Sequence, residues 1–313
     1  MDSLTGGPDC RVLPNPTHSA SRAAGVGKQT AADIVTDMKV EAEGSGPRAH
    51  EGTEQREQCS DNSQDRDLQR DRAQAAKPPR TRRDAGRLRL GIRDTEGMTW
   101  CGQQTALRID QLARLFGHLD NRSVTSEAAR KTVQRWISNG YAQTAVLLRG
   151  DPAYVWLTAR GMALTGLSYP ATEPAIAVLQ HTATVTDIRL QLMNRYPHCQ
   201  WRSERAIRAL IPARTRGQQL PHIPDGELTV PGFGIIAIEA ERTAKTIQRT
   251  RNIQLGLLSR KYDYDEQVGA SPAKPRYRQI WYFVTEATAS VVRAAGEQLP
   301  ADYQARLVIT DIP

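Results

Sequence analysis

Every aromatic side chain in this chain of 313 residues lies at or beyond Trp100, so the first 99 positions have no Phe, Tyr or Trp with which to build a core. Those positions are crowded with Gly, Pro, Ser, Gln, Asp and Arg. A segment of that composition buries too little apolar surface to offset the entropy of ordering it. Residues 1–97 are therefore expected to form a disordered tail, and the rest of the chain is long enough for two domains.

The formal net charge of +8 favours a polyanionic partner, because basic proteins gain affinity and association rate near phosphate backbones. The distribution sharpens this. Residues 77–93 carry Lys77, Arg80, Arg82, Arg83, Arg87, Arg89 and Arg93 against the single acid Asp84. They read as a basic arm leading into the first folded domain, with a solvated linker as the alternative. Cys10, Cys59, Cys101 and Cys199 are far apart, without the paired spacing of a zinc site or the density of a disulfide framework. The opening MDSLTGGPDC has no basic start followed by an apolar run, and no stretch is apolar long enough to span a bilayer. The expected setting is a reducing cytoplasm without membrane anchoring.

A first folded unit is expected over residues 98–168. A short helix over 99–106 leads to a second, capped by Asp110, carrying Leu112, Leu115 and Phe116 and ending at Gly117. Ser123 or Thr125 can cap a third, EAARKTVQRWISNG, with Ala129, Val133, Trp136 and Ile137 on one face and Gly140 as terminator. Its other face offers Glu127, Arg130, Lys131, Gln134 and Ser138, types that reach phosphates and base edges. Residues 141–148 and 153–157 are β-rich runs around Arg149-Gly150-Asp151-Pro152, the signature of a hairpin. Three helices and a hairpin predict a winged helix-turn-helix bound to double-stranded DNA through Arg130, Lys131, Gln134 and Arg135, with Arg149 at the wing tip. A merely solvated charged face is the alternative for the helix.

A joint at residues 168–174 leads to a second unit over 172–313. A long helix over 174–196 precedes strands at 199–207, 223–230 and 234–241, a helix at 244–262, a strand at 278–285, a helix at 287–298 and a strand at 306–312. The second unit thus reads as α/β with a mixed central sheet, and the whole chain as α+β.

Two sets of blocks carry a resemblance. IDQLARLFG, ARKTVQRWISNGY and YVWLTARGMAL form the first; HTATVTDIRLQL, WRSER, IPDGELTV and IAIEAERTAKT form the second. In this order they resemble the replication-relaxation family of bacterial plasmids. The resemblance implies an accessory role in plasmid replication, DNA relaxation or mobilisation, with a relaxase or replication initiator as partner. A homodimer is plausible on the ground that paired winged helices read palindromes.

The second unit also resembles the PD-(D/E)xK nuclease core in element order and in the spacing of Asp225 to Glu239 and Glu241. That chemistry needs carboxylates converging on Mg²⁺ and a lysine to assist developing charge. Asp225 and Glu239 are the expected metal carboxylates, with Asp187 and Glu204 as further acids. Glu241 occupies the position expected to hold the lysine, and Lys245, about one helical turn on, is the substitute. The resulting nuclease or nicking enzyme, using Asp225, Glu239, Glu241 and Lys245, is the alternative to a non-enzymatic DNA-binding protein. The competing reading of Glu239, Glu241, Arg242 and Lys245 is a structural ion-pair cluster. His181, His198 and His222 are scattered singly, and none is read as a ligand.

Overall fold

The computed structural model describes residues 90–211, 221–261 and 275–313. The tail and basic arm expected over 1–97 and 77–93 lie, as far as residue 89, outside the described residues.

The first helix, α1 (Ile92–Gln104), begins seven residues before the expected one. Its inward face explains the difference. That face is Asp94, Gly97, Met98, Cys101 and Gly102, a pattern without the apolar periodicity that announces a helix. Asp94 accepts hydrogen bonds from the Gly91 backbone N–H at 3.0 Å and, through Oδ1, from Trp136 Nε1 and Arg135 at 2.8 Å each. Gly97 lets two rings reach the helix backbone, since a Cβ there would stand 2.8 Å from both Phe116 and Trp136.

After β1 (Leu107–Arg108) comes α2 (Ile109–Asp120), which runs through Gly117 rather than stopping there. Gly117 is a packing position, where a Cβ would lie 2.9 Å from the Arg122 carbonyl oxygen. The helix ends instead on Asn121, at φ 49° in the left-handed region that asparagine tolerates. In α3 (Ser126–Ser138) the Thr125 side chain caps the Ala128 N–H, as expected, a bond worth about 1 kcal/mol. Ala129, Val133 and Trp136 of α3 are buried, and Trp136 meets Phe116 of α2 edge to face at 6.2 Å. Then β2 (Ala142–Ala145) and β3 (Tyr154–Leu157) form an antiparallel hairpin, and β1 pairs with the free side of β3. Gly150, at φ 90°, gives the loop its turn, with the Asp151 N–H donating to Leu148 O at 3.2 Å. The short α4 (Ala159–Thr165) closes this region.

The long helix α5 (Ile176–Arg195) packs against it. Leu179 and Ala183 sit with Ala106, Tyr154 and Trp156, and Leu190 joins the core of α1, α2 and α3. Gln111 of α2 donates to Ala183 O at 2.7 Å.

The five-stranded sheet has the order β4-β5-β6-β7-β8 and is mixed. β4 (Gln200–Ser203), β5 (Gly226–Val230) and β6 (Gly234–Glu241) pair antiparallel, while β7 (Tyr277–Val284) and β8 (Leu307–Asp311) continue parallel to β6. The strand expected over 199–207 breaks at Ser203, whose Oγ accepts from the Ala206 N–H and starts α6 (Glu204–Ala209). Helices α7 (Ile247–Leu258) and α8 (Glu286–Glu297) cover one face of the sheet, burying Ala237, Ile280, Tyr282 and Val284 against Leu257, Leu258, Ala289 and Val292. A single turn, α9 (Ala301–Gln304), leads into β8. The protein is therefore α+β with a mixed sheet. Among the described residues no helix is long and apolar enough to cross a membrane.

Candidate functional site

Side chains alternate across a strand, so Glu239 and Glu241 of β6 share a face. Gly226 pairs with Ile238, and one step further along this antiparallel register Asp225 comes beside Glu239. All three acids line one cleft of about 1040 Å³, with His181 from α5, His222, and the segment Arg242–Lys245 that leads into α7. Leu148, from the β2–β3 loop, forms part of the same wall.

Each acid has a protein partner. Asp225 Oδ1 lies 2.9 Å from His181 Nε2, and its Oδ2 accepts the Ala240 backbone N–H at 2.8 Å. Glu239 Oε1 lies 2.8 Å from His222 Nε2. Glu241 pairs with Lys245, and Arg242 reaches Gln180 of α5 at 3.2 Å. The approach to α7 is non-helical from Arg242 to Thr246, so Lys245 returns to Glu241 from a turn rather than from a helix.

Proton affinities follow from this packing. The hydrogen bond to Asp225 holds His181 above its ordinary value against the opposing effect of burial. Burial would lower His222, but the charge and hydrogen bond of Glu239 outweigh it and raise the imidazole. Glu239 is pushed up from 4.5 to about 7 by burial, with His222 opposing. The pair thus holds its proton toward neutrality. Beneath them the Tyr282 hydroxyl is buried without a hydrogen-bond partner, and burial, with the charges of Glu239, Glu241 and Asp225, raises it further.

Asp225, Glu239, Glu241 and Lys245 are therefore brought together, while the two further acids are not added to them. Asp187 pairs with Arg108 at 3.2 Å and Arg114 at 2.5 Å, and Glu204 pairs with Arg208 on α6. The reading of the histidines as scattered needs correction, because His181 and His222 line the cleft on the two central carboxylates. His181 is 44 positions from Asp225, a separation that no local motif bridges. Among the described residues, no group of three or more His, Cys, Asp or Glu side chains is arranged to hold a metal ion.

The residues expected to touch DNA lie elsewhere. Arg130, Lys131 and Gln134 are exposed on α3, Arg130 with Glu127 at 3.4 Å. Arg135, on the same helix, is tied to the buried Asp94, so its guanidinium also serves the α1–α3 contact. Arg149 is exposed at the turn of the hairpin. Comparison with family models, with curated proteins and with solved structures yields no match.

Proposed function

We propose that this protein docks on duplex DNA through α3 and the β2–β3 hairpin as a winged helix-turn-helix. The observation that carries the reading is the division of α3. Ala129, Val133 and Trp136 are locked into the core, so Arg130, Lys131 and Gln134 stand outward on a fixed helix beside a hairpin whose turn presents Arg149. A rigid helix with two cations and an amide on its free face is suited to a major groove, and an arginine at a hairpin tip to a flanking backbone or minor groove. The resemblance to replication-relaxation proteins supplies the setting, an accessory role in plasmid replication, relaxation or mobilisation. The test is binding to duplex DNA across a salt series by the wild type and by a variant with Arg130, Lys131 and Gln134 all changed to Ala. Loss of two phosphate contacts should flatten the slope of log affinity against log salt by about 1.8. A folded variant with unchanged affinity and slope would remove α3 as the reader.

A second reading, metal-dependent cleavage of DNA, is favoured by one observation: Asp225, Glu239, Glu241 and Lys245 line a single cleft. The element order α5-β4-α6-β5-β6-α7-β7 also supports a PD-(D/E)xK-like core. A bound Mg²⁺ would polarise the scissile phosphate and activate water. The residues fit that ion poorly as they stand, because both Asp225 oxygens and one oxygen each of Glu239 and Glu241 are engaged by protein donors. DNA docking without cleavage is accordingly the principal reading. Incubation of supercoiled DNA with the protein and Mg²⁺ or Mn²⁺ should leave it intact. Nicking by the wild type that disappears in Asp225→Ala would reverse the order of the two.

A further inference from the structure

Strand β8 closes one edge of the five-stranded sheet, so only one of its two sides is paired with β7. In a parallel pair the N–H and C=O of a residue point to the same side, and successive residues alternate between the two sides. The bonds to β7 fix which residues face which way. Ile280 N–H donates to Arg306 O at 2.9 Å, and Ile312 N–H donates to Val284 O at 3.0 Å. Arg306, Val308, Thr310 and Ile312 therefore turn their backbone groups toward β7. Leu307, Ile309 and Asp311 turn theirs outward, and among the described residues none of the three has a backbone hydrogen-bond partner on that side.

Sheet edges that stay free are blunted by lysine, proline, a bulge or an inward charge. From Leu307 to Thr310 this edge has no charge and no proline, and its register on β7 runs without a shift. Leu307, Val308 and Ile309 are apolar and only half-buried, Leu307 and Ile309 resting on the cluster beneath α7 and α8. The edge is also complementary to itself. Two antiparallel copies of β8 about a two-fold axis at Ile309 set Leu307 opposite Asp311 and Ile309 opposite Ile309. All of these are outward-facing residues, so each pair exchanges two hydrogen bonds, about six in all. Charge agrees with this register. A two-fold sets the axis residue against its own copy, where a charge would repel itself; Ile309 is neutral, and Asp311 meets a leucine rather than a second acid. Val308 falls opposite Thr310, a β-branched pair of the kind that favours strand pairing.

We propose that β8 is a self-association edge, through which two copies of this chain pair antiparallel about Ile309 and join their sheets into one. Such a contact is isologous and uses up both β8 edges. It is separate from α3 and from the Asp225 cleft, and it stands whether or not the protein binds DNA.

The experiment follows the full chain, without DNA, across a concentration series by sedimentation velocity and by amide hydrogen exchange read residue by residue. An edge this short buries well under the roughly 1,200 Å² of stable complexes, so half-dimerisation is expected at a concentration on the order of 100 µM. The amides of Leu307, Ile309 and Asp311 should exchange fast in dilute solution and slow as the dimer forms. Those of Val308, Thr310 and Ile312 should stay protected throughout. Asp311→Pro removes an outward N–H from each copy without taking a donor from the ladder to β7, and should weaken dimerisation about tenfold. Asp311→Ala keeps that N–H and should dimerise like the wild type. The variant with Arg130, Lys131 and Gln134 changed to Ala should do the same, which keeps this result apart from the DNA reading. A chain that stays monomeric well above the expected concentration overturns the proposal, as does dimerisation undiminished in Asp311→Pro. Slow exchange of the three outward amides in the dilute monomer also overturns it, by showing that the chain covers its own edge. Should Asp311→Pro not fold, outward amides that remain fast in the wild-type dimer place the contact elsewhere and overturn it.

Discussion

Raising the pH from 5 to 8 should destabilise this protein, and the acid cleft sets the direction. Three groups there hold protons more tightly in the folded chain than in the unfolded one. His181 is raised by its hydrogen bond to Asp225, and His222 by Glu239 against burial. A histidine with a raised folded pKa contributes stability that is complete below its unfolded value of 6.5 and is lost as pH climbs through the folded value. Glu239 acts in the same direction for a different reason. Its folded pKa is raised because burial disfavours the carboxylate, so the folded state is penalised as pH climbs from 4.5 to about 7. At about 1.4 kcal/mol per pH unit that rise amounts to roughly 3 kcal/mol. Typical domain stabilities are about 5–15 kcal/mol, so the loss is large enough to measure. With a urea dependence of about 3 kcal/mol per molar, the unfolding midpoint should fall by about 1 M between pH 5 and pH 8. Glu239→Gln replaces the titrating oxygen with a neutral amide and should remove most of that fall. A wild-type midpoint that is flat or rises over this range would refute the reasoning, and so would an undiminished fall in Glu239→Gln.

Two further outcomes follow from packing. Gly97→Ala would push a Cβ to 2.8 Å from the Phe116 and Trp136 rings and should cost about 1–3 kcal/mol, read as a lower Tm, although Ala is the better helix former. Glu227, 1% exposed, accepts from Arg202, Arg276 and the Tyr277 hydroxyl, so Glu227→Ala removes an acceptor that all three share. It should cost about 3–5 kcal/mol by chemical denaturation, and a loss under 1 kcal/mol would show that Glu227 is not what holds the cluster.

Elements whose buried face is apolar and periodic are legible in the sequence. Helix α3 is capped by Thr125, one of the two caps expected, and Ala129, Val133 and Trp136 are buried as its periodicity selects, while Thr132 is buried where Ile137 is only half-buried. Strand β6 occupies its expected span, and β7 differs by one residue at each end, because both are near-continuous apolar runs. Helix α1 was hidden for the opposite reason. It buries an aspartate and glycines, and its stability comes from the Asp94 hydrogen bonds and the close approach of rings from α2 and α3, which are properties of the partners. The break at Ser203 was hidden because an N-cap serine and a strand serine differ only in where the next carbonyls point. In the cleft, the acids were visible as a spacing, Glu239 and Glu241 on β6 and Asp225 just before β5. The histidines were not, because His181 reaches Asp225 only after α5 has crossed to the sheet.

That crossing changes the meaning of the acidic residues. Read along β6 and the start of β5 alone, Asp225, Glu239 and Glu241 are adjacent negative charges that need an external cation. In three dimensions each receives a side-chain donor from elsewhere: His181 from α5, His222 from the segment before Asp225, and Lys245 from the approach to α7. The cleft therefore balances its charge from three parts of the chain, and the docking of α5 on the sheet is coupled to that balance. A change that loosens α5 should take His181 from Asp225 as well as expose apolar surface, while a change at Asp225 should free His181 and loosen α5 in turn. Since Leu179 and Ala183 of that same helix pack on the region that carries α3 and the hairpin, the acid cleft and the proposed DNA-docking face share one structural support. The two are then expected to lose order together, whichever of them is perturbed first.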